Sequence, residues 1–124
     1  PEDMGLLMED LYQCTQGGGT LLMMFPNKIT PEKCNQMLDL LSKDKIGVFI
    51  QGGVPEGTKV VHKHGWDPGI YHTYGDVAIV YTPGGNYVLT IFMWQNNWLD
   101  WDTGSKTISD ISKAVYNYFN PPTS

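Results

Sequence analysis

Val54-Pro55-Glu56-Gly57-Thr58-Lys59-Val60-Val61-His62-Lys63-His64-Gly65-Trp66 reads as a turn feeding a strand. Pro55 presets φ and Gly57 tolerates positive φ, which are the two chemistries a tight turn needs. Lys59 to His64 then has strand-like content, so a strand is expected over Thr58 to Trp66. It ends on a lysine and, two residues on, a glycine. A lysine there offers a point charge, and glycine lets a ligand approach the backbone closely, so the strand end suits one wall of an anion-binding cleft.

Two more strands follow outward from it. Asp76 to Thr82 alternates, with Val77, Ile79 and Tyr81 on one face and Ala78 and Val80 on the other. Thr82-Pro83-Gly84-Gly85-Asn86 is a tight turn. Tyr87 to Trp94 is apolar on both faces, which predicts a central strand covered on both sides. Asn96 to Thr103 is expected as a loop carrying Trp98 and Trp101. Gly104 to Phe119 is expected as an amphipathic helix with Ile108, Ile111, Val115 and Phe119 inward.

On the N-terminal side, Met4, Leu7, Met8, Leu11 and Cys14 recur at helical spacing, and Gly17-Gly18-Gly19 ends the pattern. Pro1-Glu2-Asp3 suits a first helical turn, with two acids favoured by the helix dipole. The cap that should precede it is missing, so Pro1 reads as a cut or cleavage point. Thr30 is the expected N-cap of a second helix with Pro31 at its first position. Cys34, Met37, Leu38 and Leu41 form its apolar stripe, and its end is expected near Ser42 to Lys45. Thr20 to Pro26 and Ile46 to Ile50 are apolar but too short to classify by period.

The 124 residues fit one domain or a piece of a larger one, and 41% apolar content can supply a core. Thirteen acids against eight bases give a net charge of −5, which excludes nucleic acid as a main partner. No apolar stretch is long enough to span a bilayer. Cys14 and Cys34 lie on the apolar stripes of their helices, and two buried free thiols are expected.

The turn and strand together, Val54-Pro55-x-Gly57-x-x-Val60-x-His62-Lys63-x-Gly65, resemble the third motif of the penicillin-recognising serine hydrolases, most closely the class A β-lactamase-like branch. There a Pro-x-Gly turn leads into a strand ending Lys-Thr-Gly or Lys-Ser-Gly. The likeness continues through Gly75-Asp76-Val77-Ala78-Ile79-Val80, the Pro83-Gly84-Gly85 turn and Tyr87 to Phe92. It implies an α+β fold: the C-terminal part of a β-lactamase-like (DD-peptidase-like) domain, with two helices, a three-stranded antiparallel sheet and a C-terminal helix. Residues 1–124 are then a single partial domain whose N-terminal part, holding the nucleophile, lies outside this chain. One side of the sheet is expected to be open, covered by the missing N-terminal half or by another copy.

The resemblance also assigns roles. Lys63 would attract the substrate carboxylate, His64 and Gly65 would line the substrate site, and the backbone N–H of Trp66 would be one oxyanion-hole donor. His64 departs from the family, which has a hydroxyl residue there; imidazole is larger and can carry charge near neutral pH. The substrate implied is a β-lactam or a peptidoglycan-like amide or ester, with no cofactor. The implied setting is a bacterial protein, extracellular or periplasmic, tied to antibiotic resistance; secretion would also permit a Cys14–Cys34 bridge.

Two family motifs are missing. Ser42-Lys43-Asp44-Lys45 has the form Ser-x-x-Lys, but it falls at the end of a helix and too near Lys63 to be the nucleophile motif. Ser109-Asp110-Ile111 is not Ser-Asp-Asn. The chain alone is therefore expected to hydrolyse nothing.

Two other readings use other residues. His62 and His64 share one face of a strand, and His72, Asp67 or Asp76 could add a third metal ligand, although solvated strands often carry such pairs. The aromatics Trp66, Tyr71, Tyr74, Trp94, Trp98 and Trp101 could instead serve a non-catalytic domain that binds a ligand or partner, with Trp98 and Trp101 the best candidates for exposure.

Overall fold

A computed structural model describes residues 1–122. The elements in chain order are α1 (Glu2–Thr15), α2 (Thr20–Met24), α3 (Pro31–Leu41), α4 (Phe49–Gly52), β1 (Lys59–Asp67), β2 (Thr73–Tyr81), β3 (Tyr87–Trp94) and α5 (Trp101–Phe119). The architecture is α+β, with an antiparallel sheet of order β1-β2-β3 and helices on both faces.

Local chemistry starts the helices where the sequence places them. Thr30 Oγ1 accepts from the Lys33 N–H at 3.3 Å, the cap expected of it. Asp100 does the same for α5, accepting from the Thr103 N–H at 2.8 Å. That cap starts α5 at Trp101, so the predicted loop is three residues shorter than expected. The two short apolar stretches also form helices: α2 buries none of its side chains, whereas α4 buries Phe49 and Ile50.

The alternation of β2 divides the core. Val77 and Ile79 face α1 and α3, packing with Val61, Met8, Leu11 and Leu38. Ala78 and Val80 face α4 and α5, packing with Val60, Phe49, Ile50 and Ile108. Along α5, Val115 and Phe119 pack inward beside Ile108 as expected, but Ile111 is 41% exposed. Its place is taken by small residues: Ser109 and Ser112 donate to the Phe49 and Ile50 carbonyls, each at 2.8 Å. A Cβ on Gly53 would stand 2.3 Å from the Ser109 carbonyl oxygen, so glycine is required for α4 to dock this closely. Leu7 on α1 likewise points outward, 45% exposed.

Two further expectations are corrected. Cys14 and Cys34 are not free thiols; they form a disulfide joining α1 to α3. The central strand is β2, and β3 is an edge, with Phe92 and Trp94 exposed. Its apolar content reflects α1 on one face and α5 on the other rather than strands on both sides. The helices cover the sheet incompletely: on the α1 side a groove beside Lys63 and Gly65 leaves Phe92 and Trp94 exposed, and among the described residues the outer edges of both β1 and β3 have no strand partner.

Candidate functional site

The Lys63-His64-Gly65-Trp66 segment sits at the end of β1, an edge strand, paired only with β2 through Lys63↔Val77, His64↔Asp76, Gly65↔Gly75 and Trp66↔Tyr74. In an antiparallel edge strand, alternate N–H groups point away from the sheet, available to something other than a strand. A Cβ on Gly65 would meet no atom within 4 Å, so the approach to this backbone is open. A groove of about 500 Å³ runs from Lys63, His64 and Gly65 across Tyr74 to Phe92 and Trp94.

Alternation sends these side chains to opposite faces. Lys63 lies on the α1 side, exposed, and donates to the His64 carbonyl at 2.7 Å. Among the described residues it makes no ion pair, so its charge is free to meet an anion. His62, His64 and Trp66 share the α4 side. The His64 ring stacks on Trp66, with centroids 5.2 Å apart and planes at 14°. Phe49 is the hub of this aromatic group, lying 5.4 to 6.3 Å from the rings of His64, Trp66, Tyr74 and Trp101. It holds a left-handed backbone, φ 57°, which is uncommon for a bulky residue and requires firm packing around it.

Behind the aromatics lies a buried ionisable pair. His62 Nδ1 approaches Asp76 Oδ1 at 3.1 Å and Oδ2 at 3.2 Å, and the Ile50 N–H donates to Oδ2 at 3.0 Å. Burial alone would push the imidazole's pKa down. The hydrogen bond to Asp76, its charge and that of Asp44 outweigh burial and hold His62 above its ordinary value.

Asp44 is the residue that sequence reasoning missed. It follows α3 within the Ser42-Lys43-Asp44-Lys45 stretch, and its Oδ2 lies 2.7 Å from His64 Nδ1. Nothing in a Lys-Asp-Lys loop signals this, because the contact spans the gap between a helix end and a strand. Ser42, by contrast, is used up locally: it follows the last turn of α3 and donates to the Asp39 carbonyl at 2.8 Å. Of the third metal ligands considered, His72 is turned to the Pro68 carbonyl at 2.9 Å, Asp67 accepts from the Ile70 N–H, and Asp76 stands behind His62. Trp98 and Trp101 are exposed as expected, at 64% and 36%.

A sequence profile described as the beta-lactamase enzyme family matches residues 1–119. A beta-lactamase of Bacillus licheniformis is 28% identical over 95 residues, covering 76% of this chain and 30% of that protein. Among solved structures, a mutant of PBP-A in its acyl-enzyme complex with penicillin G superposes with a TM-score of 0.72 at 25% identity, covering 98% of this chain and 40% of that one. The beta-lactamase from Sphaerobacter thermophilus gives 0.71 at 24% identity, covering all of this chain and 41% of its own, and shares the fold. The chain thus spans well under half the length of these relatives. With the motif strand, the hairpin and both helical layers matched along nearly its whole length, the chain belongs to the beta-lactamase enzyme family.

Proposed function

We propose that this chain is the C-terminal part of a serine β-lactamase-like hydrolase and supplies one wall of its substrate cleft. The observation that carries the reading is the strand end itself: Lys63 exposed and without a carboxylate partner, beside Gly65 with open space above it, on an edge strand. Lys63 attracts the substrate carboxylate, Gly65 lets the acyl group lie along the strand, and the Trp66 N–H donates to the oxyanion that forms when a serine attacks the carbonyl. That serine belongs to the portion of the protein outside these residues. The acyl-enzyme it forms is then released by water. The substrate class is a β-lactam or a peptidoglycan-like amide or ester, the former supported by the penicillin carried by the related PBP-A.

The groove from Lys63 to Trp94, with Phe92 and Trp94 half or more exposed, supports pairing with the remainder of the protein along β3. The Cys14–Cys34 disulfide supports an oxidising, extracellular or periplasmic setting. Among the described residues no helix is long and apolar enough to cross a membrane.

A second reading is favoured by His64. It stands where relatives of the motif carry a hydroxyl, and its ring is engaged by Asp44 and Trp66 rather than presented freely. In that reading the domain keeps the fold and binds a ligand without turning it over. Intact mass of the full-length gene product, before and after incubation with penicillin G, separates the two. A gain of one ligand mapped to a serine before Pro1 supports the hydrolase; no gain supports the binding domain. Residues 1–124 alone take up no ligand covalently in either case.

A further inference from the structure

The α4-facing side of β1 carries donor atoms that acyl transfer does not use. His62 has no solvent-exposed surface, and Asp76 satisfies its Nδ1; its buried Nε2 faces the Asp44 backbone and makes no hydrogen bond of good geometry. A buried polar atom left poorly satisfied is costly, and a structural histidine–aspartate pair fully satisfies only one of the two ring nitrogens. Two residues along the same strand face stands His64, its ring centroid 5.7 Å from that of His62. Its buried Nδ1 lies 2.7 Å from Asp44 Oδ2, a charge contact without hydrogen-bond geometry. One ligating atom from each of Asp44, His62 and His64 lies within 4.8 Å of the others.

We propose that Asp44, His62 and His64 form a binding site for a divalent transition metal, zinc being the best match, with Asp76 orienting His62 from behind. Two imidazoles and one carboxylate are the donor set that suits zinc, cobalt and nickel better than magnesium or calcium. Zinc bonds of about 2.0–2.1 Å in a tetrahedron place the ligands about 3.3 Å apart. The observed spacing, from 2.7 Å to at most 4.8 Å, brackets that value, so side-chain rotation suffices to close the site. A carboxylate accepting from the far nitrogen of a ligating histidine is the usual second partner of such a site, and Asp76 holds that position at 3.1 Å.

Charge and access agree with the proposal. The carboxylates of Asp44 and Asp76 balance a dication, while Lys63 projects to the other face of the sheet. Asp44 and His64 keep 25% and 13% of their side-chain surface exposed, which provides an entry path and an open fourth position for water. Bound there, the ion would tie the loop after α3 to β1, two segments otherwise joined here by the Asp44–His64 contact.

The test is a Co2+ titration of the chain, produced without a polyhistidine tag and stripped with chelator, followed by displacement with Zn2+. The expected result is a visible absorption band of four-coordinate intensity saturating at one Co2+ per chain and abolished by one equivalent of Zn2+. Asp44→Asn and His64→Thr, at partly exposed positions and checked for fold by circular dichroism, weaken binding about 100-fold or more. Asp76→Asn weakens it about 10- to 100-fold. His72→Ala leaves it unchanged. A stoichiometry other than one, a weak six-coordinate spectrum, equal affinity in Asp44→Asn and His64→Thr, or loss of binding in His72→Ala would overturn the assignment.

Discussion

His62 Nδ1 lies 3.1 Å from Asp76 Oδ1, and neither residue has any solvent-exposed surface. The pair joins β1 to β2, and the Ile50 N–H on the second Asp76 oxygen joins both strands to α4. One carboxylate thus holds three elements on the face that carries the aromatic group.

Removing that carboxylate strands two buried groups. Asp76→Ala leaves His62 Nδ1 and the Ile50 N–H without partners, and breaking a buried pair from one side costs about 3–5 kcal/mol. Urea unfolding of the variant is expected to give an unfolding free energy lower by that amount, seen as a lower midpoint at unchanged slope. A loss below 1 kcal/mol would mean that water replaces the carboxylate at no cost.

The Cys14–Cys34 bridge closes a loop with a sequence separation of 20 residues. Loop-closure entropy assigns it roughly 3 kcal/mol. Cys14→Ser with Cys34→Ser is expected to lower unfolding free energy by about that much, and dithiothreitol should reproduce the effect in the parent protein. Equal stability of oxidised and reduced protein would refute the expectation.

Tyr87 packs its ring against Phe119 with its hydroxyl buried and without a hydrogen-bond partner. Burial, with a smaller contribution from Tyr116, pushes its phenol up to about 12. A folded-state value above the unfolded one means that the native state keeps its proton longer. Stability is therefore retained below about pH 10 and falls as pH rises toward 12. Tyr87→Phe removes this fall and the unpartnered hydroxyl together, so it should be neutral or stabilising at pH 7 and less sensitive between pH 10 and 12. Tyr74 and Tyr81 are also raised by burial, so the difference between variant and parent is the quantity to read.

His64→Thr restores the hydroxyl of the family motif. In the full-length protein it is expected to raise the rate of acylation by penicillin G roughly tenfold, the worth of one hydrogen bond to a charged group. Stopped-flow acylation or time-resolved mass measurement reads this directly. A slower rate in the variant would show that the imidazole, not a hydroxyl, suits this protein's own substrate.

Much of the architecture was legible because it rests on local chemistry. The period of Cys34, Leu38 and their neighbours, the Thr30 cap, the Pro83-Gly84 turn and the alternation of Val77 to Val80 each depend on residues close in the chain. The strand that ends Lys63-His64-Gly65 was legible for the same reason, and with it the family. The orientations of Leu7 and Ile111 were not, because a stripe predicts which residues share a face and not how wide a face the neighbours cover.

Other features were decided only by the packing of distant elements. Tyr87 to Trp94 has the same apolar composition at an edge as at a centre, so strand order followed from which strand met two partners. Cys14 and Cys34 are buried on their stripes whether bonded or free; what joins them is a Cα–Cα distance of 6.1 Å between two helices. Asp44 reaches His64 across a gap that no spacing in the sequence encodes. The sequence by itself determined the three long helices, the three strands and the motif, since those follow from backbone propensity and side-chain period. Tertiary structure alone decided the disulfide, the edge and the company of His62, since those are distances between segments far apart in the chain.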